Sequence, residues 1–133
     1  MSTLKQFEDM ELWQKSRIFA REIYSITHNS PLVNDFALKE QIRRSASSIM
    51  DNIAEGFERG GNREFIQFLS IAKGSAGETC SQLYRSFDLK YIDEQTFSKL
   101  QSEAKDISKM ISRFITYLKN TEHKGIKFKT KAE

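Results

Sequence analysis

Between Asp93 and about Asn120 the apolar residues Phe97, Leu100, Ala104, Ile107, Ile111, Phe114 and Leu118 recur in alternating steps of three and four. That is the seam of a helix packed in a bundle. Asp93 is a good N-cap, and Ile92 before it can staple onto Phe97. Three further segments repeat the pattern. From Asn62 to about Lys90 the stripe is Phe65, Phe68, Leu69, Ala72, Ala76, Thr79, Leu83 and Phe87. From Asn34 to about Glu58 it is Leu38, Ile42, Ala46, Ile49, Ile53 and Phe57. From Asp9 to His28 it is Leu12, Trp13, Phe19, Ala20, Ile23, Tyr24 and Ile26. Pro31 in "HNSPLVND" cannot continue the first helix, and Asn34 is placed to cap the second. Connections this short make consecutive helices antiparallel neighbours. The pattern predicts an all-α, up-down-up-down four-helix bundle over residues 1–120, with helices at about 9–28, 34–58, 62–90 and 93–120. A basic, flexible tail over 121–133 follows.

Two punctuation features matter. Gly56, Gly60 and Gly61 crowd one corner, and the first and last have the spacing of a phosphate-binding loop. Asn62 and Arg63 stand where that loop needs its lysine and hydroxyl, and a helix precedes where a strand is required. The corner therefore reads as a helix stop and restart, with Gly60 or Gly61 in the left-handed position and Gly61 or Asn62 capping the next helix. Gly74 and Gly77 lie inside the third helix, each costing roughly 1 kcal/mol against alanine. Their expense points to a backbone passing close, within the bundle or across a subunit contact.

Composition narrows the function classes. The chain has 133 residues, one proline and one cysteine, Cys80, which suits a reducing compartment. Apolar runs are too short to span a membrane, and "MSTLKQFEDMELW" lacks the layout of a secretory signal, so the expectation is a cytoplasmic protein. The net charge of +3 is concentrated: Lys119 to Glu133 holds five lysines against two glutamates, while residues 1–118 hold 16 basic and 16 acidic side chains. The tail "HKGIKFKTKAE" reads as a solubilising segment, an arm for RNA or anionic surfaces, or a strand for a partner's sheet edge. His28 and His123 have no glutamate three residues before them, so the di-iron signature of helical bundles is missing. Cys80 reads as a small buried group. No cofactor, metal, small-molecule substrate or catalytic activity is expected.

On the second helix Gln41, Arg44, Ser48, Asn52, Glu55 and Arg59 fall in one sector at ~100° per residue, opposite the apolar side. Glu55 and Arg59 have the favourable i,i+4 order. This stripe is either a solvated face, a polar subunit seam or an arginine-bearing contact surface. Arg43, Arg44, Arg59 and Arg63, with Lys73 beyond them, are the candidates for phosphate or partner contact.

"FEDMELWQKS", "QIRRSASSIMDNIAEGFER", "FLSIAKGSAGE" and "ISKMISRFITYL" together resemble the four-helix-bundle proteins encoded by intervening sequences of bacterial 23S ribosomal RNA genes, also labelled S23 ribosomal proteins. Gln41, Arg43, Arg44, Ser48, Asn52, Glu55, Gly56, Arg59, Lys73, Gly74, Ser75 and Glu78 match that pattern, and Ser45 departs from it where alanine is common. The resemblance implies a homo-oligomer, a ring-like pentamer, without catalytic activity. It also implies kinship with accessory proteins of diversity-generating retroelements, hence RNA or a reverse-transcriptase-like protein as a partner. Protein–protein assembly without nucleic acid is the alternative.

Overall fold

The computed structural model describes residues 4–122. Four helices form: α1 Glu11–Asn29, α2 Phe36–Arg59, α3 Asn62–Asp88 and α4 Glu94–Glu122. Each packs on its sequence neighbour, and α4 returns to α1, so the four close into an antiparallel bundle. The last two helical residues, Thr121 and Glu122, were expected in the tail. The remainder of that expected tail lies outside the described residues.

The apolar stripes face inward as their spacing predicts. Ile42, Ile49 and Ile53 of α2, Phe65, Leu69, Ala72, Ala76 and Leu83 of α3, and Ala104, Ile111 and Leu118 of α4 are fully buried. Phe65 sits edge-on to Phe57 and Phe114, and Phe87 stacks on Phe97 at 4.7 Å, tying α3 to both neighbours. Tyr24 is the exception: it was placed on the apolar side of α1 but is 57% exposed, with the Arg43 guanidinium 3.8 Å above its ring.

The helix ends follow local chemistry. Asp93 caps α4 by accepting from Thr96 N–H at 2.8 Å. The α2 cap is Asp35 rather than Asn34, accepting from Leu38 N–H at 3.2 Å, because Pro31–Asn34 forms a short 3-10 turn that moves the start along. Gly60 takes the left-handed position, φ 94°, and Gly61 precedes α3 without a side-chain cap. α3 stops at Asp88, two residues before the expected Lys90. Lys90 itself is left-handed at φ 63°, and Tyr91 N–H and Lys90 N–H bond back to Ser86 and Phe87 carbonyls. That is a Schellman end made without glycine.

The most extensive helix contact is α2 with α3. At its lower end a Cβ added to Gly56 would lie 2.8 Å from Phe68 Cβ and from a Phe65 ring carbon, so only glycine lets the two helices approach this closely. Farther along, hydroxyls and an amide replace apolar contacts. Ser45 Oγ donates to Gln82 Oε1 at 2.6 Å and lies 2.7 Å from Thr79 Oγ1, while Ser48 and Ser75 hydroxyls meet at 2.8 Å. Ser45, Thr79 and Gln82 are buried, so each of these bonds replaces water that the groups have lost. Gly74 and Gly77 differ from Gly56: a Cβ at either would meet nothing within 4 Å. Among the described residues no backbone accounts for them, which corrects the expectation of a close approach within the bundle.

The α1–α4 side closes electrostatically. Lys99 of α4 lies 2.9 Å from Glu22 Oε2 of α1 and 3.0 Å from Glu103 Oε2. The other carboxylate oxygens, Glu22 Oε1 and Glu103 Oε1, are buried without a partner while both groups are ionised. One proton between the two carboxyls satisfies both oxygens. Burial and the hydrogen bond to Glu22 raise the Glu103 carboxyl above its ordinary range. Burial pushes Glu22 up as well, but hydrogen bonds to Glu103 and Lys99 outweigh it and hold that carboxyl below.

Two predictions follow from these contacts. In Gly56→Ala the gain in helix propensity, about 1 kcal/mol, is outweighed by overpacking against the Phe68 Cβ, which cannot rotate away. The midpoint of thermal unfolding should fall by several degrees; an unchanged or raised midpoint would contradict the close approach. The Glu22–Glu103 pair contributes most where it holds a single proton, between the lowered Glu22 value and the raised Glu103 value. Its contribution is lost as pH falls through the first and again as pH rises through the second. Glu103→Gln keeps a donor at every pH. Its unfolding midpoint relative to wild type should therefore climb as pH rises through the raised Glu103 value, and a flat difference would sink the shared proton.

Candidate functional site: the outer edge of the α2–α3 seam

The polar stripe of α2 lies along one edge of its contact with α3. Gln41 Oε1 accepts from Arg85 Nη1 at 2.9 Å, and Ser48 meets Ser75. Asn52 Nδ2 donates to Ser48 Oγ and to the Ser48 carbonyl, both at 2.8 Å. Arg59 pairs with Glu55 at 3.0 Å and lies 5.1 Å over the Phe68 ring of α3. Five of the six positions therefore carry bonds or stacking that join α2 to α3 or brace a neighbouring side chain. Arg44 remains exposed on this edge. The stripe is a border strip, engaged within the chain at every position but Arg44.

The five basic candidates do not form one cluster. Arg44 and Arg59 share the α2–α3 edge. Arg43 turns the other way, to α1, where its Nε donates to Thr27 Oγ1 at 2.7 Å and its guanidinium covers Tyr24. Arg63 is exposed in the first turn of α3, beyond the glycine corner. Lys73 is exposed and sits roughly 160° round the α3 axis from Ser75, at ~100° per residue, so it faces away from α2. Arg85 and Ser75 were not foreseen as parts of the stripe. Their signal was present, since Ser75, Gln82 and Arg85 sit on the α2-facing side of α3 at helical spacing, but it needs the partner helix to be legible.

Beyond the seam, a cleft of about 160 Å³ lies between α1 and α4, lined by Lys15, Phe19, Glu22, Glu103, Asp106 and Ile107 among others. Two of its three carboxyl groups, Glu22 and Glu103, are those of the Lys99 cluster. Cys80 is half-buried, and burial raises its thiol above the ordinary value against a smaller opposing pull from Lys105, so the thiol form is favoured. Among the described residues no helix is long and apolar enough to cross a membrane.

Comparisons with known proteins agree with this architecture. The family model described as "23S rRNA-intervening sequence protein" matches residues 8–113. Among solved structures, the chain is similar to a protein of unknown function from the S23 ribosomal protein family of Bacteroides thetaiotaomicron VPI-5482. The two are 29% identical with a TM-score of 0.72, over 78% of this chain and 97% of the other. No curated protein matches. The matched span runs from the turn before α1 well into α4, and it takes in the Gly56 corner and the hydroxyl seam. The chain belongs to the 23S rRNA-intervening sequence protein family.

Proposed function

We propose that the protein is a non-catalytic scaffold that assembles with copies of itself and holds RNA or a ribonucleoprotein partner, a reverse-transcriptase-like protein being one such partner, in the cytoplasm. The observation that carries the assembly half is the outward face of α3. Gly74 and Gly77 are exposed in the middle of a 27-residue helix, where nothing among the described residues needs a missing Cβ. Ser70 and Ser81 extend the same small-residue line, and Ile71 beside it is 51% exposed. A backbone or side chain from another subunit gives those glycines a purpose. The number five comes from the family resemblance and is part of the proposal.

The RNA half rests on that resemblance and on exposed arginines such as Arg44. A second reading, an assembly module without nucleic acid, is favoured by one specific observation: the first 118 residues balance 16 basic against 16 acidic side chains.

The test uses the positions with free space. Gly74→Gln with Gly77→Gln should fold at least as well as wild type, since glutamine gains up to about 1 kcal/mol of helix propensity over the two sites. Light scattering should nonetheless show the assembled mass falling toward that of one chain. A wild-type protein that is monomeric at about 50 μM, a concentration at which any interface of micromolar affinity is occupied, would overturn the assembly reading. So would a double variant of unchanged assembled mass.

A further inference from the structure

Along the α1–α2 side of the bundle several cations meet aromatic rings. On α1, Trp13, Arg17, Arg21 and Tyr24 follow one another at steps of four, four and three, which places them along one edge of the helix. Arg17 lies 5.8 Å over the Trp13 ring. On α2, Lys39 lies 5.4 Å over the Phe36 ring, and Arg43 lies 3.8 Å over Tyr24 across the interhelical groove. The Arg43–Thr27 bond fixes the two edges face to face. The rings are available: Tyr24 is 57% and Phe36 70% exposed.

Acidic groups of the same helices are occupied or turned elsewhere. Glu11 pairs with Lys15, Glu22 with Lys99 and Glu55 with Arg59. Asp35 caps α2 and accepts from the Tyr91 hydroxyl. Glu40, one helical turn before Arg43, is half-buried, while Asp51 and Glu58 lie about two and four turns farther along α2 on its exposed face. Among the described residues, Arg17, Arg21, Lys39 and Arg43 have no carboxylate ion-pair partner. These four cations, of which Arg21 lies near enough to Glu22 to help hold its carboxyl low, are interleaved with exposed rings and form a surface complementary to a polyanion that also offers flat π faces.

We infer that the α1–α2 groove is a binding surface for single-stranded RNA, with Arg17, Arg21, Lys39 and Arg43 on phosphates and Tyr24 as the platform on which a base stacks. The inference rests on the RNA-holding reading above and names a surface for it, on the side of α2 away from the stripe. From Trp13 to His28 the groove is about 22 Å long, matching the short end of single-strand site sizes, about four nucleotides. Unpaired bases fit it better than a duplex does, because a duplex already buries the base faces that the rings would cover.

The experiment is fluorescence anisotropy of the full chain with a fluorescein-labelled uridine 12-mer and, separately, a 12-base-pair RNA duplex. Wild type should bind the single strand at about 50 mM salt, with a contribution of about −3 to the slope of log affinity against log salt from the four groove cations, at about 0.7 per phosphate. Arg17→Gln with Arg21→Gln, both at exposed positions, should flatten that slope by about 1.4. Tyr24→Leu should weaken single-strand binding about tenfold with the slope unchanged. Wild type that binds no RNA would remove the RNA-holding reading itself. Wild type that binds while the groove variants match it would overturn the groove alone. So would equal affinity for the duplex, or a change of assembled mass in Arg17→Gln with Arg21→Gln, which would make the face a contact between copies.

Discussion

The close approach of α2 to α3 is the constraint on which the rest of the bundle depends. Gly56 brings the backbone of α2 against Phe65 and Phe68, and this depth of contact lets Ser45 and Ser48 reach Thr79, Gln82 and Ser75. A hydroxyl is short, and it bonds across two helices only when their axes are held near each other. Once made, these bonds fix rotation and register, because a slip along either helix would leave buried polar groups without partners. The same register places Phe65 between Phe57 and Phe114, and so determines how α4 joins.

Around this pair, the other contacts are of a different kind. α4 packs through a conventional apolar seam, and α1 closes the bundle with less contact, relying in part on the Glu22–Lys99–Glu103 cluster at its edge. Both outward faces of the α2–α3 unit then become available for different tasks. α3 presents small residues with open space above them, while the far side of α2 joins α1 in a cation-and-ring groove. A body of balanced charge can still present such a groove, because Glu11, Glu22 and Glu55 are held in ion pairs with Lys15, Lys99 and Arg59.

The helices were legible in the sequence because a three-and-four spacing of Leu, Ile and Phe has few other solutions in water. Their ends were less so. Asp35 replaced Asn34 because a 3-10 turn consumed the intervening residues, and Lys90 took a left-handed position that residue type alone assigns to glycine. The α2 stripe was visible as a direction around a helix, yet periodicity says nothing of what faces it, so Arg85 and Ser75 went unseen. Tyr24 was misassigned for the same reason: its ring was counted as core, while Arg43 from another helix holds it at the surface. Gly56, Gly74 and Gly77 look alike in sequence. Only the distances to a missing Cβ separate a packing glycine from two with no such neighbour among the described residues.

Native-state hydrogen exchange tests the primacy of the α2–α3 pair most directly. Amides in the centre of α2, residues 45–53, and of α3, residues 72–83, should exchange only through global unfolding. Those of α1 should open at distinctly lower free energy, since the helix with less contact forms the less stable cooperative unit. Protection in α1 equal to or greater than that of α2 and α3 would contradict the account.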